Sequence, residues 1–288
     1  MNNNIHKTSR KVSPSGSPDS YRDSGTTILE EIAQFKKQLL GYKKKVVSLK
    51  ELEAASLFSR SCFKLTEDLS NSPFGIIAEH KRRSPSKPHL NFKTDIFDVA
   101  TGYQNAGVSG MSVLTEQKYF GGSLEDLLLA RASVDIPLLR KDFMVDEYQI
   151  IESKAHGADV ILLIAACLSP KEVKSFSRLT RELGMQSILE VHNQAELESH
   201  ICDTVDIVGV NNRNLKTFEV SLETSYDLLE RIPKEFVKIS ESGISSAQEI
   251  LDLKKAGFDG FLLGETFMKT NNPGSKAEAF IKELKSEI

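Results

Sequence analysis

The fold is decided by eight short apolar runs, and the first of them reads Ile76-Ile77-Ala78-Glu79-His80-Lys81. Like the others, it ends in a cluster of polar residues or glycine. The later runs are Met111 to Thr115, Pro137 to Asp142, Val160 to Ile164, Ser187 to Glu190, Ile207 to Asn211, Val237 to Gly243 and Phe261 to Glu265. Charged amphipathic stretches separate them. Buried strands that alternate with helices form a parallel sheet, and about eight such units close it. The predicted fold class is therefore α/β, a (β/α)8 TIM barrel.

An N-terminal helical extension precedes the first run. Apolar residues recur at helical spacing over residues 28–42, and a second helical stretch is predicted over residues 48–60. Such helices can cover one end of a barrel or shape its pocket. Residues 1–26 are rich in Ser, Asn, Pro and charge, which predicts a disordered tail and no secretory signal. We expect residues 27–288 to form a single domain.

Composition limits the possible classes of function. The 288 residues suit one barrel of about 250 residues plus an extension. No apolar stretch approaches the roughly 20 residues of a membrane span. A net charge of −3 argues against a general nucleic-acid partner. The three cysteines are too scattered for a disulfide framework or a zinc site, so we expect a reducing, cytoplasmic setting.

The ends of the predicted strands carry the residues that could perform chemistry, because active sites in this fold lie at the carboxyl ends of the strands. Glu79 and Lys81 are two residues apart, so they point to the same side and share the pocket mouth. A surface ion pair is the alternative interpretation. Ser84 follows in a basic loop, 82–87, that could hold an anion.

Lys141 ends the third strand and Glu190 ends the fifth. A lysine in a low-dielectric rim close to other cations can have a lowered pKa and donate a proton near neutral pH. An ion pair with Asp142 is the alternative for Lys141. Asn211 and Arg213 follow the sixth strand and offer an amide and a guanidinium to substrate oxygens.

Glycine-bearing clusters end the last two strands. These clusters are Glu241-Ser242-Gly243 and Gly264-Glu265. Barrels often hold a phosphate with these two loops and a short extra helix, which residues 265–268 could form. A simple tight turn at Gly264 is the alternative.

His156 and His192 lack partners at metal-ligand spacing and are predicted to be structural or surface residues.

Taken together, the clusters resemble the indole-3-glycerol-phosphate synthase family. The resemblance rests on motifs in the family's order from about residue 28 to the C-terminus. They are Ile77 to Lys87, Ser112 to Glu116, Tyr119 to Ser123, Leu139 to Phe143, Leu189 to His192, Gly209 to Leu215 and Ser240 to Ile244.

The resemblance implies closure of the indole ring of 1-(2-carboxyphenylamino)-1-deoxyribulose 5-phosphate, with loss of carbon dioxide and water. No cofactor or metal is implied. Lys141 matches the general acid for ring closure, and Lys81 matches the lysine that contacts the substrate carboxylate and acts as an acid in dehydration. Glu79 matches a base in dehydration, whereas Glu190 positions groups or stabilises a cationic intermediate.

The resemblance also implies the substrate-binding residues. Asn211 and Arg213 match substrate-orienting positions. The phosphate is expected at Ser84, Gly243, Gly264 and Glu265, the last two through backbone N–H groups. Three further residues match the pocket lining: Ser242, and Phe120 and Phe143, which could pack on the anthranilate ring or belong to the ordinary core.

Two residues depart from the family pattern. His80 replaces an aliphatic residue, and alternation turns it outward to the helix layer. Pro88 replaces a glycine and is expected to stiffen a loop that moves over the substrate.

Two alternative functions stay open. One is another sugar-phosphate barrel such as phosphoribosylanthranilate isomerase, which has a cysteine near the end of its first strand. The other is a catalytically silent binding protein. We expect a monomer with no membrane or nucleic-acid partner and a small phosphorylated substrate.

Overall fold

A computed structural model of the chain describes residues 27–215 and 217–287. The predicted disordered tail lies outside the described residues.

Eight parallel strands close into a barrel in chain order, each paired with the next and the last with the first. They are β1 Ile76–His80, β2 Gly110–Leu114, β3 Leu138–Lys141, β4 Val160–Ile164, β5 Gln186–Val191, β6 Ile207–Asn211, β7 Val237–Glu241 and β8 Gly260–Leu263. Every predicted apolar run forms a strand, so the (β/α)8 prediction is confirmed.

Helices surround the barrel and precede it. The N-terminal extension contains α1 Ile28–Val46, α2 Leu49–Glu53 and α3 Leu65–Asn71. The helices that follow the strands are α4 Ile96–Ala106, α5 Leu124–Ser133, α6 Glu147–Ala155, α7 Pro170–Glu182, α8 Gln194–His200, α9 Glu223–Leu229, α10 Ala247–Ala256, α11 Glu265–Met268 and α12 Pro273–Ser286. A short 3-10 helix, Ala165–Cys167, follows β4.

Alternation along the strands separates two hydrophobic cores. Ile77, Leu139 and Leu162 belong to the core inside the barrel. Ala78 and Leu163 belong to the larger core between the barrel and its helices. Burial on both faces explains why the strands are mostly apolar up to their carboxyl ends.

The extension closes both ends of the barrel. α1 crosses the carboxyl end, where Ile28, Leu29 and Ile32 line the central cavity. α3 closes the amino end, and its Leu65 and Leu69 are buried in the inner core.

Of the two helices predicted in the extension, one is confirmed and the other is shorter than predicted. The helix predicted over 28–42 is confirmed and runs four residues further. The one predicted over 48–60 is wrong in length, since α2 has 5 residues. The chain turns after α2, and Arg60 Nη2 lies 2.6 Å from Oδ1 of Asp159 at the amino end of the barrel.

In the described part of the chain, no helix combines the length and apolarity that a membrane crossing needs.

Candidate active site

A cavity of 520 Å³ opens at the carboxyl ends of the strands. It brings together all of the predicted site residues: Glu79, Lys81, Ser84, Phe120, Lys141, Phe143, Glu190, Asn211, Arg213, Ser242, Gly243, Gly264 and Glu265. These residues are far apart in the chain but share one site. They come from the first, second, third, fifth, sixth, seventh and eighth strands and from the loops that follow those strands.

Lys141 lies among three buried carboxylates. Its Nζ is 3.8 Å from Glu79 Oε2 and 3.8 Å from Glu190 Oε2. It also donates a short hydrogen bond to Glu241 Oε2. Since parallel strands place their last residues at one edge, the ends of β1, β3, β5 and β7 supply the whole cluster.

The electrostatics of this cluster overturn one expectation. Burial acts against the charge of Lys141, but the negative charges of Glu241, Glu79 and Glu190 outweigh it and raise the pKa of the ammonium. The prediction of a lowered pKa for Lys141 was wrong because the neighbours of Lys141 are anions and not cations. Lys141 is therefore held protonated, which a proton donor requires.

The alternative ion pair between Lys141 and Asp142 is also wrong. Asp142 lines the cavity, but its carboxylate binds Lys36 Nζ at 2.6 Å and Arg140 Nη2 at 3.2 Å. Burial would raise the pKa of Asp142, but these cations lower it to about 2. Lys36, Arg140 and Asp142 thus form a buried network that borders the cavity at Asp142.

Glu241 was not among the predicted site residues. Its side chain is fully buried, and burial, together with repulsion by Glu190 and Glu79, raises the pKa of Glu241 to about 7 against the attraction of Lys141. A Cβ on Gly209 would come within 2.4 Å of Glu241 Oε1, so glycine leaves room for the carboxylate. Its position at the end of β7, equivalent to the other strand ends, was the available signal.

Glu79 and Lys81 both line the cavity, as the prediction of a shared pocket mouth requires, and they also form an ion pair there, with Nζ 2.6 Å from Oε1. The surface alternative is wrong for Glu79, whose side chain is only 4% exposed. Burial acts to raise the pKa of Glu79, but Lys81 and Lys141 lower it overall. A Cβ on Gly264 would approach Glu79 Oε1 to 2.5 Å, so this glycine permits the contact between β8 and β1.

One wall of the cavity is apolar. The rings of Phe120 and Phe143 lie 6.0 Å apart at an angle of 40°. Both belong to the core that α1 closes with Ile28, Leu29 and Ile32. This wall has the chemistry to hold a flat aromatic ring.

Other residues that line the cavity offer groups for an anion. Gly264 precedes α11 without a side-chain cap, and first-turn N–H groups of a helix have no intrahelical acceptor. Gly243 has φ 84°, and a Cβ there would meet Val220 Cγ1 at 2.3 Å. Ser84 lines the same cavity from the loop after β1.

The loop after β1 is fastened at both ends. Arg82 donates two hydrogen bonds to Asp126 of α5, at 2.5 and 2.8 Å. Asn91 Nδ2 donates to the carbonyl of Met268 at 3.0 Å. Between them, Lys87 pairs with Glu265. The loop, including the segment before Pro88, is therefore folded over the cavity.

His80 points away from the cavity, as alternation predicts. It is 1% exposed and does not line the site. Burial and the charge of Arg82 lower the pKa of His80 to about 4. The imidazole is thus neutral at pH 7 and acts as a packing residue.

Within residues 27–215 and 217–287, no group of three or more His, Cys, Asp or Glu side chains is placed to hold a metal ion.

The fold and site together define a class, the (β/α)8-barrel enzymes with a cavity of ionisable side chains at the carboxyl ends of the strands. The sequence model of the indole-3-glycerol phosphate synthase family matches residues 29–284. The chain belongs to that family. It is a carboxy-lyase of tryptophan biosynthesis.

Individual relatives agree over nearly their full length. An indole-3-glycerol phosphate synthase from Bacteroides thetaiotaomicron is 41% identical over 257 residues, which cover 89% of this chain and 98% of that protein. One from Sulfurimonas denitrificans is 40% identical over 262 residues, covering 90% and 98%.

Solved structures show likeness of fold alone. A tryptophan synthase complex from Pyrococcus furiosus contains a chain that matches with a TM-score of 0.54 and 17% identity, covering 74% of this chain and 98% of that one. KGPDC from Streptococcus mutans matches with a TM-score of 0.58 and 15% identity, covering 73% and 97%.

Proposed function

We propose that the chain converts 1-(2-carboxyphenylamino)-1-deoxyribulose 5-phosphate to indole-3-glycerol phosphate through the cavity residues described above. The observation that carries the proposal is the position of Lys141, an ammonium among three carboxylates, in a cavity that Phe120, Phe143 and Ser84 also line. The product requires three events: ring closure, loss of carbon dioxide and loss of water.

Binding places the two ends of the substrate at opposite sides of Lys141. The phosphate accepts hydrogen bonds from Ser84 and from N–H groups of Gly243, Gly264 and Glu265. The anthranilate ring packs on Phe120 and Phe143. Lys87 offsets the negative charge of Glu265 near the phosphate.

Ring closure uses Lys141 as the general acid. The aromatic carbon attacks the ketone carbon, and Lys141 donates a proton to the carbonyl oxygen as that oxygen gains electrons. Its surrounding carboxylates hold the ammonium in place before the reaction, which avoids reorganisation during it.

The remaining steps use the other ionisable residues. Lys81 contacts the departing carboxylate and then protonates the hydroxyl that leaves as water. Glu79, 2.6 Å from Lys81, acts as the base in dehydration. Glu190 stabilises the cationic intermediate through its negative charge.

Orientation comes from the end of β6 and the loop after β7. Asn211 Oδ1 accepts a hydrogen bond from the backbone N–H of Arg213 at 3.0 Å, which fixes the side chain of Asn211. Asn211 and Arg213 then contact substrate oxygens, and Ser242 lines the pocket beside them.

We further propose a monomer in the cytoplasm that needs no cofactor for these steps. The mass of one chain is 32.0 kDa. Sedimentation equilibrium should return this mass, and a value near twice as large would contradict the monomer.

The division of roles is tested by single-turnover measurement of carbon dioxide and of indole product in parallel. Lys141→Met should release neither, because ring closure precedes both. Lys81→Met should release carbon dioxide before indole product, because its dehydration is slowed. Equal loss of both products in the two variants would contradict the separate roles. Tight binding without turnover by the unmodified chain would favour a silent binding protein.

A further inference from the structure

We propose that His192 is a positioning residue that holds the carboxylate of Glu190 from behind the cavity, as a charged imidazolium clamped between Glu190 and Glu196. The proposal rests on the role of Glu190 in the proposed function. The pattern of the sequence had suggested only a structural or surface histidine.

The imidazole of His192 lies between the carboxylates of Glu190 and Glu196. Glu190 Oε1 lies 3.5 Å from His192 Nε2, and His192 Nδ1 lies 3.0 Å from Glu196 Oε2. The backbone N–H of His192 donates to the same Glu196 oxygen at 2.8 Å. Glu196 is itself fixed by Asn193 Nδ2, which lies 2.8 Å from its Oε1. The first turn of α8 therefore sets the imidazole plane.

The proposal depends most on the second ring nitrogen of His192, Nε2, and on its missing hydrogen bond in the described structure. His192 Nε2 is buried and makes no hydrogen bond within the described ranges, although Glu190 Oε1 faces it. A buried donor without an acceptor is costly, which favours a small movement that brings the two atoms together. Catalytic hydrogen bonds are often long in the empty site and tighten when substrate binds.

The charges that face His192 favour its protonated form. They are Glu190 on β5, Glu196 on α8 and Glu241 on β7. Burial acts to lower the pKa of His192, but the hydrogen bond to Glu196 and the charge of Glu190 raise it overall. Cys167 lies near both glutamates but adds no charge, since burial raises the pKa of its thiol to about 12.

Glu190 thus has one cation for each oxygen. Oε2 faces Lys141 at 3.8 Å and Oε1 faces His192 at 3.5 Å. A separate partner for each oxygen fixes the carboxylate against rotation. If His192 lost its proton from Nε2, a lone pair would face an anionic oxygen, and this hold would be lost.

If this proposal is right, the alkaline limb of the pH–rate profile should report the deprotonation of His192. Activity should fall at alkaline pH as the imidazolium deprotonates, above the usual pKa of histidine. Glu196→Gln keeps an oxygen acceptor but removes a charge, so it should move this limb to lower pH by about one unit. His192→Asn should lower kcat on the order of tenfold at pH 7 with KM within about twofold, and it should lack the limb.

The experiment combines kcat profiles with NMR titration of the imidazole nitrogens in the full chain. The His192 signals are assigned by their loss in His192→Asn. His156→Gln is the matched control, since His156 contacts the carbonyl of Glu152 away from the cavity. It should keep the wild-type profile.

Support requires an imidazolium signal from His192 at pH 7 that titrates at lower pH in both Glu196→Gln and Glu190→Gln. A neutral imidazole at pH 7, or a profile that Glu196→Gln lowers uniformly without moving its limb, would overturn the proposal. Absence of indole product from the unmodified chain would instead refute the proposed function. The NMR titration would still decide whether His192 is charged and coupled to Glu190.

Discussion

Glu79 and His80 are neighbours in β1, yet alternation gives them opposite surroundings. Glu79 faces Lys81 and Lys141 in the cavity, which favours its charged form. His80 faces the helix layer near Arg82, where burial favours its neutral form and lowers its pKa to about 4. The same strand therefore supplies one charged group to the cavity and one neutral packing group to the helix layer.

His80 makes stability depend on pH with a definite sign. The unfolded chain protonates this residue near pH 6.5, whereas the folded chain does so only near pH 4. The unfolded state thus binds more protons between these values, and stability falls as the pH falls through this window, by about 3 kcal/mol in full. Most of that loss should be absent in His80→Leu.

Urea denaturation at pH 7 and pH 4.5 measures this difference. His89→Leu is a suitable control because His89 is exposed. It should retain the pH dependence of the unmodified chain. An unchanged pH dependence in His80→Leu would show that other groups cause it.

At the scale of elements, ion pairs made by three lysines, Lys36, Lys43 and Lys44, fasten α1 to the barrel. Lys36 binds Asp142 with both side chains buried, and Lys43 Nζ binds Glu152 Oε1 at 2.7 Å. The first two turns of the same helix supply Ile28 and Ile32 to the cavity. A helix outside the barrel repeat thus takes part in shaping the site.

Lys36→Met should weaken substrate binding more than turnover. Without Lys36, Asp142 keeps Arg140 as its one charged partner among the described residues, and α1 should pack less firmly on the apolar wall. We expect KM to rise several-fold and kcat to change by less than about twofold, since Lys36 does not line the cavity. Steady-state kinetics provides the measurement.

Lys37→Met serves as the control on the same helix, because Lys37 is exposed. Its KM should stay at the wild-type value. A fall in kcat without a rise in KM in Lys36→Met would contradict this role for α1.

The strands could be predicted from sequence because burial on both faces leaves uninterrupted apolar runs. α3 could not, since it has 7 residues and Lys64 before it makes no side-chain capping bond. Strand-end positions identified the residues that meet in the cavity. The raised pKa of Lys141 and the position of His192 behind Glu190 depend on distances across the barrel, which no local pattern contains.

The whole molecule divides into an active carboxyl end and a stabilising amino end, as is usual for this fold. Asp159 is the centre of the amino end. Its carboxylate accepts hydrogen bonds from Arg60 at 2.6 Å and Arg131 at 2.9 Å, and from the backbone N–H groups of Phe63 and Leu138 at 2.9 Å. It therefore joins the extension, α5 and β3.

Asp159→Asn should lower the free energy of unfolding by about 3 kcal/mol, because it leaves buried guanidinium groups without their anion. The kcat of the protein that remains folded should stay near the wild-type value, since Asp159 is at the far end of the barrel. Urea denaturation and active-site titration measure the two quantities.

Asp98→Asn, an exposed change on α4, should shift the free energy of unfolding by less than about 0.5 kcal/mol. If Asp159→Asn were equally mild, the carboxylate would not be what joins the extension to the barrel.

The measurement that tests the central claim most directly is indole fluorescence after mixing the chain with 1-(2-carboxyphenylamino)-1-deoxyribulose 5-phosphate. The chain contains no tryptophan, so the protein adds no tryptophan emission of its own. We expect emission to rise with the unmodified chain and to stay flat with Lys141→Met, in which the side chain keeps its approximate size but loses its proton. No rise with the unmodified chain despite measured binding, or an equal rise with Lys141→Met, would contradict the account.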